Sequence, residues 1–420
     1  MVFRILHSFR LLGIALDGTP RRGLALNLAM KKNAIYLDYN ATTPVDSQVF
    51  AAMEPYFKDL FGNPSSASHQ WGWTAESAVQ KARNQVARLI GAAPQEIYFT
   101  SGATEANNWA LFGLITKIKA ENPNAPIHIL SSNAEHSSVL QTLKMAQALG
   151  VEVDFVPVDS TGRVAVSDVK KLLKPHTKLL SFIWVNNEVG TLNPISELVE
   201  LAKENKIYLH TDGTQAVGKI PVDVQNIEVD LLSFSAHKIY GPKGVGVLYI
   251  RSKNPKVQIN AHIMGGGQER GLRSGTLNVP GIVGMGKAAE IASEILVSEN
   301  ERQEKLRSYF CDLLKSEIPE AQINGHPTER AANTLNIYLP DYHPSQSLGG
   351  LQNLGVSAGS ACASGSVSLS HVLKAMGKSE AHIESSIRVS MGRETTQEEI
   401  QEAIAILKKL STAKETSVFN

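Results

Sequence analysis

Seven short apolar segments between residues 96 and 250 restrict the fold of this chain more than any other feature of its sequence. Most have four to eight residues and are almost continuously apolar, which is typical of β-strands covered on both faces. We therefore predict a mostly parallel sheet of seven strands. The segments are EIYFT (96–100), PIHILSS (126–132), VEVDFVPV (151–158), KLLSFIWV (178–185), KIYLHTD (206–212), DLLSFSA (230–236) and GVGVLYI (244–250).

Helical patterns alternate with these strands. Residues 74–91 place apolar side chains three or four positions apart and end at Gly91, a common helix stop signal. Residues 195–206 repeat the pattern immediately before the fifth strand segment. This alternation predicts an α/β fold, in which ligands bind beyond the carboxyl ends of the parallel strands.

The pattern changes after about residue 290, where we predict a smaller α+β domain. Its signals are a long charged helix, two strands and a closing helix, at residues 288–318, 333–340, 386–392 and 396–410. We assign residues 48–292 to a large domain, and residues 34–47 and 293–420 to the small domain.

Residues 1–33 are rich in Arg and Lys and contain one acidic residue, Asp17. Three interpretations stay open: a targeting segment, a disordered or structural extension, and a mis-assigned start, because Met30 directly precedes KKNAIYLDYN. We leave this segment out of the fold prediction.

Charge and composition narrow the possible function classes. The formal net charge of +1 gives no electrostatic reason to expect nucleic acid or an anionic membrane as a partner. No apolar run approaches the ~18 residues that a membrane span requires. The two cysteines, Cys311 and Cys362, exclude a disulfide scaffold, and no Cys/His cluster has zinc spacing. A reducing cytosol is the expected compartment.

Polar residues follow several of the predicted strands directly. Ser101 to Thr104 lie where the first strand gives way to a helix, whose free N–H groups favour a phosphate. His136 follows the second strand, where an imidazole can stack on a ring or transfer protons. Each has an ordinary alternative, because Thr104 can cap a helix and His136 can be a surface or core histidine.

Amide and acid side chains follow the next strands. Asn187 follows the fourth strand and can bind a carboxylate or a ring oxygen, or belong to a turn. Asp212 ends the fifth strand and is followed by Gln215. A protonated pyridine nitrogen would offset the charge of Asp212, and a helix N-cap is the alternative.

Ser235, His237 and Lys238 follow the sixth strand, where a hydrated ammonium is costly unless it is paired or reactive. Taken singly, Lys238 can also be an exposed lysine with a buried stem. Taken together, the strand ends supply a phosphate cup, a stacking histidine, an acid, a ring-oxygen donor and a lysine. These parts suit pyridoxal 5′-phosphate held as a Schiff base by Lys238, with Asp212 keeping the ring nitrogen protonated.

Ten collinear motifs resemble the cysteine desulfurases of the NifS/IscS-like group, in the class V aminotransferase family. The resemblance runs from about residue 34 to about residue 410. It implies the fold of type I pyridoxal-phosphate enzymes. The motifs are YLDYNATTPVD (36–46), FGNPSS (61–66), TSGATEANN (100–108), EHSSV (135–139), VNNEVGT (185–191), HTDGTQAVGK (210–219), SFSAHKIYGPKGVG (233–246), GGGQERGLRSGT (265–276), SAGSACASG (357–365) and SSIRVSMGR (385–393).

The resemblance implies a role for each matching site residue. Lys238 would hold the cofactor covalently, and Thr276 would reach the phosphate in the other subunit of an obligate homodimer. Asn187 and Arg388 would hold the substrate carboxylate, for which a guanidinium is suited. The implied cofactor contacts are Gly102, Ala103, Thr104, His136, Asp212, Gln215, Ser235, His237, Lys238 and Thr276.

The implied activity removes sulfur from L-cysteine and gives L-alanine and a persulfide on Cys362, with Lys238 and His136 as the other catalytic residues. Acceptors would be proteins such as an iron–sulfur scaffold or tRNA-thiolation proteins, and no metal is implied beyond a transient contact of Cys362 with a cluster. A selenocysteine lyase, another aminotransferase-family enzyme and a non-enzymatic scaffold stay open as alternatives.

Cys362 lies in the uncharged segment 357–370, which is rich in Ser, Ala and Gly. We predict a flexible tether that lets a nucleophile take sulfur in one place and deliver it in another, with a small buried cysteine as the alternative. Cys311 falls in a helical pattern and is expected to be structural.

Two features depart from the group. Ala236 stands where relatives commonly have glycine, and the chain ends at STAKETSVFN without the longer Trp-containing tail of relatives that serve the housekeeping scaffold. The scaffold partner therefore stays open, and a bacterial cytoplasmic protein is favoured over a mitochondrial one.

Overall fold

The computed structural model describes residues 34–340, 342, 351, 353–358, 360–363 and 366–412. The helices are α1 (Ser47–Met53), α2 (Pro55–Lys58), α3 (Gln70–Leu89), α4 (Ala103–Glu121), α5 (Ser137–Ala148), α6 (Val166–Leu172), α7 (Ile195–Glu204), α8 (Val224–Ile227), α9 (Val279–Glu317), α10 (His371–Ala375), α11 (Glu380–Glu384) and α12 (Gln397–Thr412). The strands are β1 (Ile35–Tyr36), β2 (Ile97–Thr100), β3 (His128–Ser132), β4 (Glu152–Val156), β5 (Thr177–Ile183), β6 (Tyr208–Asp212), β7 (Leu231–Ser235), β8 (Gly246–Ile250), β9 (Gln322–Asn324), β10 (Thr334–Tyr338), β11 (Leu354–Gly355), β12 (Ser357–Ala358), β13 (Ser360–Ala363), β14 (Ser366–Leu369) and β15 (Ser386–Ser390).

The central sheet contains the seven predicted strands, in the order β2-β8-β7-β6-β5-β3-β4. Neighbouring strands from β7 to β4 pair in parallel. Strand β8 runs against both of its neighbours, β2 and β7. The predicted mostly parallel sheet is therefore confirmed, and the carboxyl ends of its parallel strands meet along one edge.

Helices cover both faces of this sheet, because successive strand residues point to opposite sides. Along β3, Ile129 belongs to one apolar core and Leu130 to the other. The predicted helix at 74–91 is α3, which ends two residues before Gly91, a residue with φ of +65°. Full burial of both strand faces explains why the strand segments are almost continuously apolar.

A second, antiparallel sheet has the order β12-β15-β10-β9 and its own apolar core. That core contains Ile35 and Leu37 from the N-terminal segment together with residues of α9 and α12. Helix α9 begins nine residues before the predicted position 288, because Asn278 accepts a hydrogen bond from Gly281 N at 3.1 Å and caps the helix. The proposed domain boundary at residues 292 and 293 falls inside this continuous helix.

Among the described helices, none is both long enough and apolar enough to cross a membrane. Within the described part of the chain, no three His, Cys, Asp or Glu side chains lie in a group that could hold a metal ion.

Candidate active site

A cavity of about 580 Å³ lies at the edge where the parallel strands end. Asp212 is the last residue of β6 and Ser235 is the last residue of β7, and both line this cavity. The sheet topology thus brings together side chains that are far apart in sequence. The predicted site residues in the lining are Gly102, Ala103, Thr104, His136, Asn187, Asp212, Gln215, Ser235, His237, Lys238 and Arg388.

The buried carboxylate of Asp212 is held by two donors. Its Oδ1 accepts a hydrogen bond from Thr214 N at 2.9 Å, and its Oδ2 accepts one from Asn107 Nδ2 at 2.8 Å. Asn107 lies on α4, four residues after the start of that helix, and is fully buried. The sequence patterns did not single out Asn107, although it stands within the TSGATEANN motif. These bonds fix the direction of the carboxylate toward the cavity wall.

The amine of Lys238 lies in a short 3₁₀ turn directly after β7. Its Nζ donates to the backbone oxygens of Asn40 at 2.6 Å and Ala41 at 2.8 Å. Burial and the nearby charge of Arg388 together lower the pKa of Lys238 to about 8, against the opposing effects of Asp212 and Asp38. An amine with this pKa has a substantial uncharged fraction near neutral pH, as a nucleophile requires.

The start of helix α4 faces the same cavity and is suited to bind an anion. Gly102 is its N-cap and makes no side-chain capping bond, so backbone N–H groups of the first turn are available to a ligand. Gly246, the first residue of β8, packs against it, since a Cβ there would lie 2.6 Å from the Gly102 backbone. Glycine at the start of β8 leaves room for the part of the cavity that Ser235 and Thr104 line.

His237 and His136 lie at the cavity in different electrostatic surroundings. Burial and the neighbouring Lys238 lower the pKa of His237 to about 4, so its ring is neutral at physiological pH. Its Nδ1 lies 3.2 Å from Thr42 Oγ1. His136 accepts a hydrogen bond from Ser138 N at 3.2 Å and is the N-cap of α5. Desolvation lowers the pKa of His136, and Asp212 opposes that shift.

Arg388 reaches the cavity from β15 of the second sheet. Its Nη2 donates to Asp38 Oδ1 at 2.6 Å and to Ser357 Oγ at 2.7 Å, while its Nη1 donates to the backbone oxygen of Asn187 at 3.1 Å. Its Nε has no partner among the described residues. Asp38, which the sequence patterns did not single out, thus sets the position of the guanidinium.

Asn40 connects the N-terminal segment to both sheets. Its Nδ2 donates to Thr334 Oγ1 at 2.8 Å, and its backbone N donates to Ser390 Oγ at 2.9 Å. Its backbone oxygen accepts from Gln215 Nε2 at 3.0 Å, in addition to the bond from Lys238. The sequence analysis did not single out Asn40 as a site residue, although it stands within the YLDYNATTPVD motif, because its contacts join segments that are distant in sequence.

Thr276 is exposed and lies outside the cavity lining of its own chain. The segment that carries it is fixed to helices α3 and α4 by two ion pairs. Arg83 and Glu269 form a buried pair at 2.6 Å, and Arg273 contacts Glu105 at the start of α4 at 2.8 Å. The side chain of Thr276 is therefore exposed to solvent on a segment whose position is fixed by these ion pairs.

The backbone of Cys362 lies in β13, where it pairs with Val367 of β14 in an antiparallel hairpin. Small and β-branched residues pair readily in this way. Pairing of the backbone does not test motion, so the flexible tether stays a prediction. The side chain of Cys362 lies outside the description. Cys311 packs against the second core as expected, and burial raises the pKa of its thiol.

Comparison with known proteins identifies this arrangement. The sequence model of the family described as Aminotransferase class-V matches residues 35–403. The chain belongs to the class V aminotransferase family. Members of this family use pyridoxal 5′-phosphate, so the cofactor predicted from the strand ends is confirmed.

Individual members of the class V aminotransferase family resemble the chain over most of its length. A protein of Neisseria gonorrhoeae named cysteine desulfurase IscS is 44% identical over 387 residues, which are 92% of this chain and 94% of that protein. A solved NifS-like protein superposes with a TM-score of 0.82 at 39% identity and covers 90% of this chain and 99% of its own. A structure titled SspA in complex with cysteine has a TM-score of 0.74 at 35% identity, over 85% of this chain and 98% of that chain.

The cavity residues of this member of the class V aminotransferase family fit pyridoxal 5′-phosphate. The uncapped start of α4 suits its phosphate, and Asp212 offers a fixed carboxylate to a protonated ring nitrogen. Lys238 provides an amine with a lowered pKa in the same cavity.

Proposed function

We propose that this chain is a cysteine desulfurase, which converts L-cysteine to L-alanine and carries the sulfur as a persulfide on Cys362. The relatives named cysteine desulfurase support this, since they match more than nine-tenths of the chain. The observation that carries the proposal is Lys238, an amine of lowered pKa, in one cavity with Asp212 and Arg388. Sulfur-acceptor proteins, such as an iron–sulfur scaffold, are proposed as partners.

The cavity residues divide the work of binding and proton transfer. Bound pyridoxal 5′-phosphate supplies an electron-withdrawing ring. Asp212 holds a proton at the ring nitrogen, and Gln215 donates to the ring oxygen. Lys238 Nζ takes the proton from Cα of the substrate, which its uncharged form permits. Arg388 and Asn187 hold the substrate carboxylate.

The phosphate is held by the first turn of α4, with further donors from Thr104, Ser235 and the neutral ring of His237. His136 lines the cavity, where it would stack on the ring of the bound cofactor and transfer protons.

Cys362 completes the reaction as a nucleophile. Its thiolate attacks the sulfur of the substrate, so an S–S bond forms while the bond between Cβ and sulfur breaks. The electron pair of the broken bond stays with carbon, which takes a proton and becomes the methyl group of alanine. The persulfide then passes its outer sulfur to a thiolate of an acceptor protein.

The test uses the purified protein with L-cysteine under reductant, measuring alanine and sulfide together. Cys362→Ser is expected to lose both products and keep the absorbance of the bound cofactor. Cys311→Ser is the matched control and is expected to behave as the parent. Alanine release by Cys362→Ser at the parent rate contradicts the role of Cys362. If the protein turns over selenocysteine and does not turn over cysteine, it is a selenocysteine lyase. If turnover requires a keto acid as the amino-group acceptor, it is an aminotransferase.

We also propose that the active form is a homodimer. Aromatic side chains that are at least half exposed gather on α1, α2, the start of α3 and the segment between α2 and α3, and such patches mark interfaces. They are Phe50, Phe57, Phe61, Trp71 and Trp73. In this homodimer we propose that the exposed Thr276 contacts the phosphate in the site of the partner subunit. Bacterial relatives support a bacterial protein, and the cytoplasm is the compartment we propose.

A further inference from the structure

Lys219 is a second lysine beside the cavity, and no step of the proposed function uses it. Its Nζ donates to Asn40 Oδ1 at 3.0 Å and to Gln215 Oε1, which lies one turn earlier in the chain. Its backbone oxygen accepts from Asn300 Nδ2 of α9 at 2.7 Å. Lys219 is therefore held at both ends, by the long helix and by two residues of the cavity wall.

The surroundings of Lys219 favour the uncharged amine. Burial lowers its pKa well below the usual range, and the nearby charges of Lys238 and Arg388 lower it further. Glu299 and Arg393 line a small cavity on its other side, together with Tyr240. A neutral amine has two N–H groups, and these match its two oxygen acceptors.

These bonds determine which end of the Gln215 amide faces the cavity. Gln215 is almost fully buried, and its Oε1 is occupied by Lys219. Its Nε2 is thereby directed to Asn40 O at 3.0 Å, on the cavity wall that Lys238 also contacts. A reversed amide would set Nε2 against the N–H donors of Lys219 and lose both hydrogen bonds.

We propose that Lys219 is a positioning residue that orients the amide of Gln215, so that an N–H donor and not a carbonyl meets the ring oxygen of the cofactor. This inference rests on the proposed function for the presence of that cofactor. A donor at the ring oxygen stabilises its anionic form. The orientation therefore lowers the pH at which the covalent link between Lys238 and the cofactor loses its proton.

The experiment titrates the absorbance of the bound cofactor against pH without substrate. Lys219→Met removes the donors and keeps most of the apolar stem, and it is expected to raise the midpoint by about one pH unit. Lys219→Arg restores a donor and is expected to return the midpoint toward the parent value. Lys219→Ala serves the same test if Lys219→Met fails to fold.

A double-mutant cycle with Gln215→Ala separates positioning from a general structural role. We expect Gln215→Ala to raise the midpoint, and Lys219→Met to add little to it, because both changes remove the same donor. An unchanged midpoint in Lys219→Met, or additive shifts in the double variant, overturns the inference. A parent protein that binds no cofactor overturns the proposed function and this inference together.

Discussion

Lys238 owes its reactivity to the groups around it. Two backbone carbonyl oxygens accept hydrogen bonds from its Nζ. The positive charge of Arg388 lowers the pKa of Lys238, and the partly buried site screens this charge less than water at the surface would. The sequence predicted Lys238 and its neighbours Ser235 and His237, because they follow a strand that was easy to recognise. It did not predict the carbonyl of Asn40 as a partner, because backbone acceptors carry no residue signature.

The pH dependence of cofactor attachment tests this description of Lys238. We expect cofactor-free protein to bind saturating pyridoxal 5′-phosphate at a rate that rises with pH, with a midpoint near the pKa of about 8. Arg388→Met removes a positive neighbour, which raises that pKa and moves the midpoint to higher pH. The measurement is the growth of cofactor absorbance after mixing. A midpoint at the ordinary pKa of lysine in the parent protein would contradict the prediction.

Glu135 gives a prediction for stability. It is fully buried, and burial raises its pKa from an ordinary 4.5 to about 8. As pH rises from 4.5 toward 8, the unfolded chain loses this proton and the folded chain keeps it, so the free energy of unfolding falls. The expected loss between pH 4.5 and 7 is about 3 kcal/mol.

Urea unfolding of Glu135→Gln at several pH values tests this expectation, because a neutral side chain removes the loss. The variant should gain stability relative to the parent at pH 7 and match it more closely near pH 4.5. The exposed Glu320→Gln is the control and should follow the parent at both values. The prediction is contradicted if the free energy of unfolding varies with pH in the same way for the parent and for Glu135→Gln.

At the scale of elements, the apolar segments located the strands, because nearly every side chain of a strand that is buried on both faces must be apolar. The hairpin of β13 and β14 was missed, since its small residues carry no apolar pattern. The start of α9 was missed because Gly281, Gly284 and Gly286 weaken the helical signal there. Gly286 is required there, since a Cβ at this position would lie 2.6 Å from the backbone of Ala82 in α3.

The hairpin is anchored at its C-terminal side by two contacts to the cavity segments. Ser370 Oγ donates to Glu188 Oε2 at 2.5 Å, and His371 Nε2 lies 2.8 Å from the backbone oxygen of Glu135. Glu188 follows Asn187 and Glu135 precedes His136 in the chain. The hairpin that carries Cys362 is therefore tied to the same segments that bear two proposed site residues.

Ser370→Ala is expected to slow sulfur transfer to Cys362, roughly tenfold, because the anchor that places the hairpin is lost. The absorbance of the cofactor and the exchange of the substrate Cα proton with deuterated water should stay at parent values, since neither involves the hairpin. Rapid-quench measurement of persulfide reports the first quantity, and NMR of recovered cysteine reports the second. Equal losses in both would show that Ser370 supports the cavity and not the hairpin.

At the scale of the whole molecule, the site depends on both sheets at once. Asp212 and Lys238 come from the central sheet, whereas Arg388 comes from the second sheet. The division of the chain into two domains stays a prediction, and the continuous helix α9 joins the two cores. Sequence patterns located the pieces of the site, but the contacts between them arise only from the tertiary arrangement.

Mixing inactive subunits tests the homodimer and the role of Thr276. Lys238→Ala and Thr276→Ala each impair their own homodimer, the second through weaker hold on the phosphate. In a mixed dimer, one site has both Lys238 and Thr276, so a random mixture should recover about one quarter of the parent activity. Refolding the two variants together and measuring sulfide release gives the answer. No recovery above either variant alone would place Thr276 outside the partner's site.

The hydrogen bond from Asn40 N to Ser390 Oγ joins positions that are 350 residues apart. During synthesis the N-terminal partner leaves the ribosome early, and the other leaves only when the chain is nearly finished. We therefore expect the wall around Lys238 to stay incomplete on a nascent or prematurely ended polypeptide. Acquisition of the vitamin B6 cofactor would then mark completed translation, and truncated chains are expected to stay colourless.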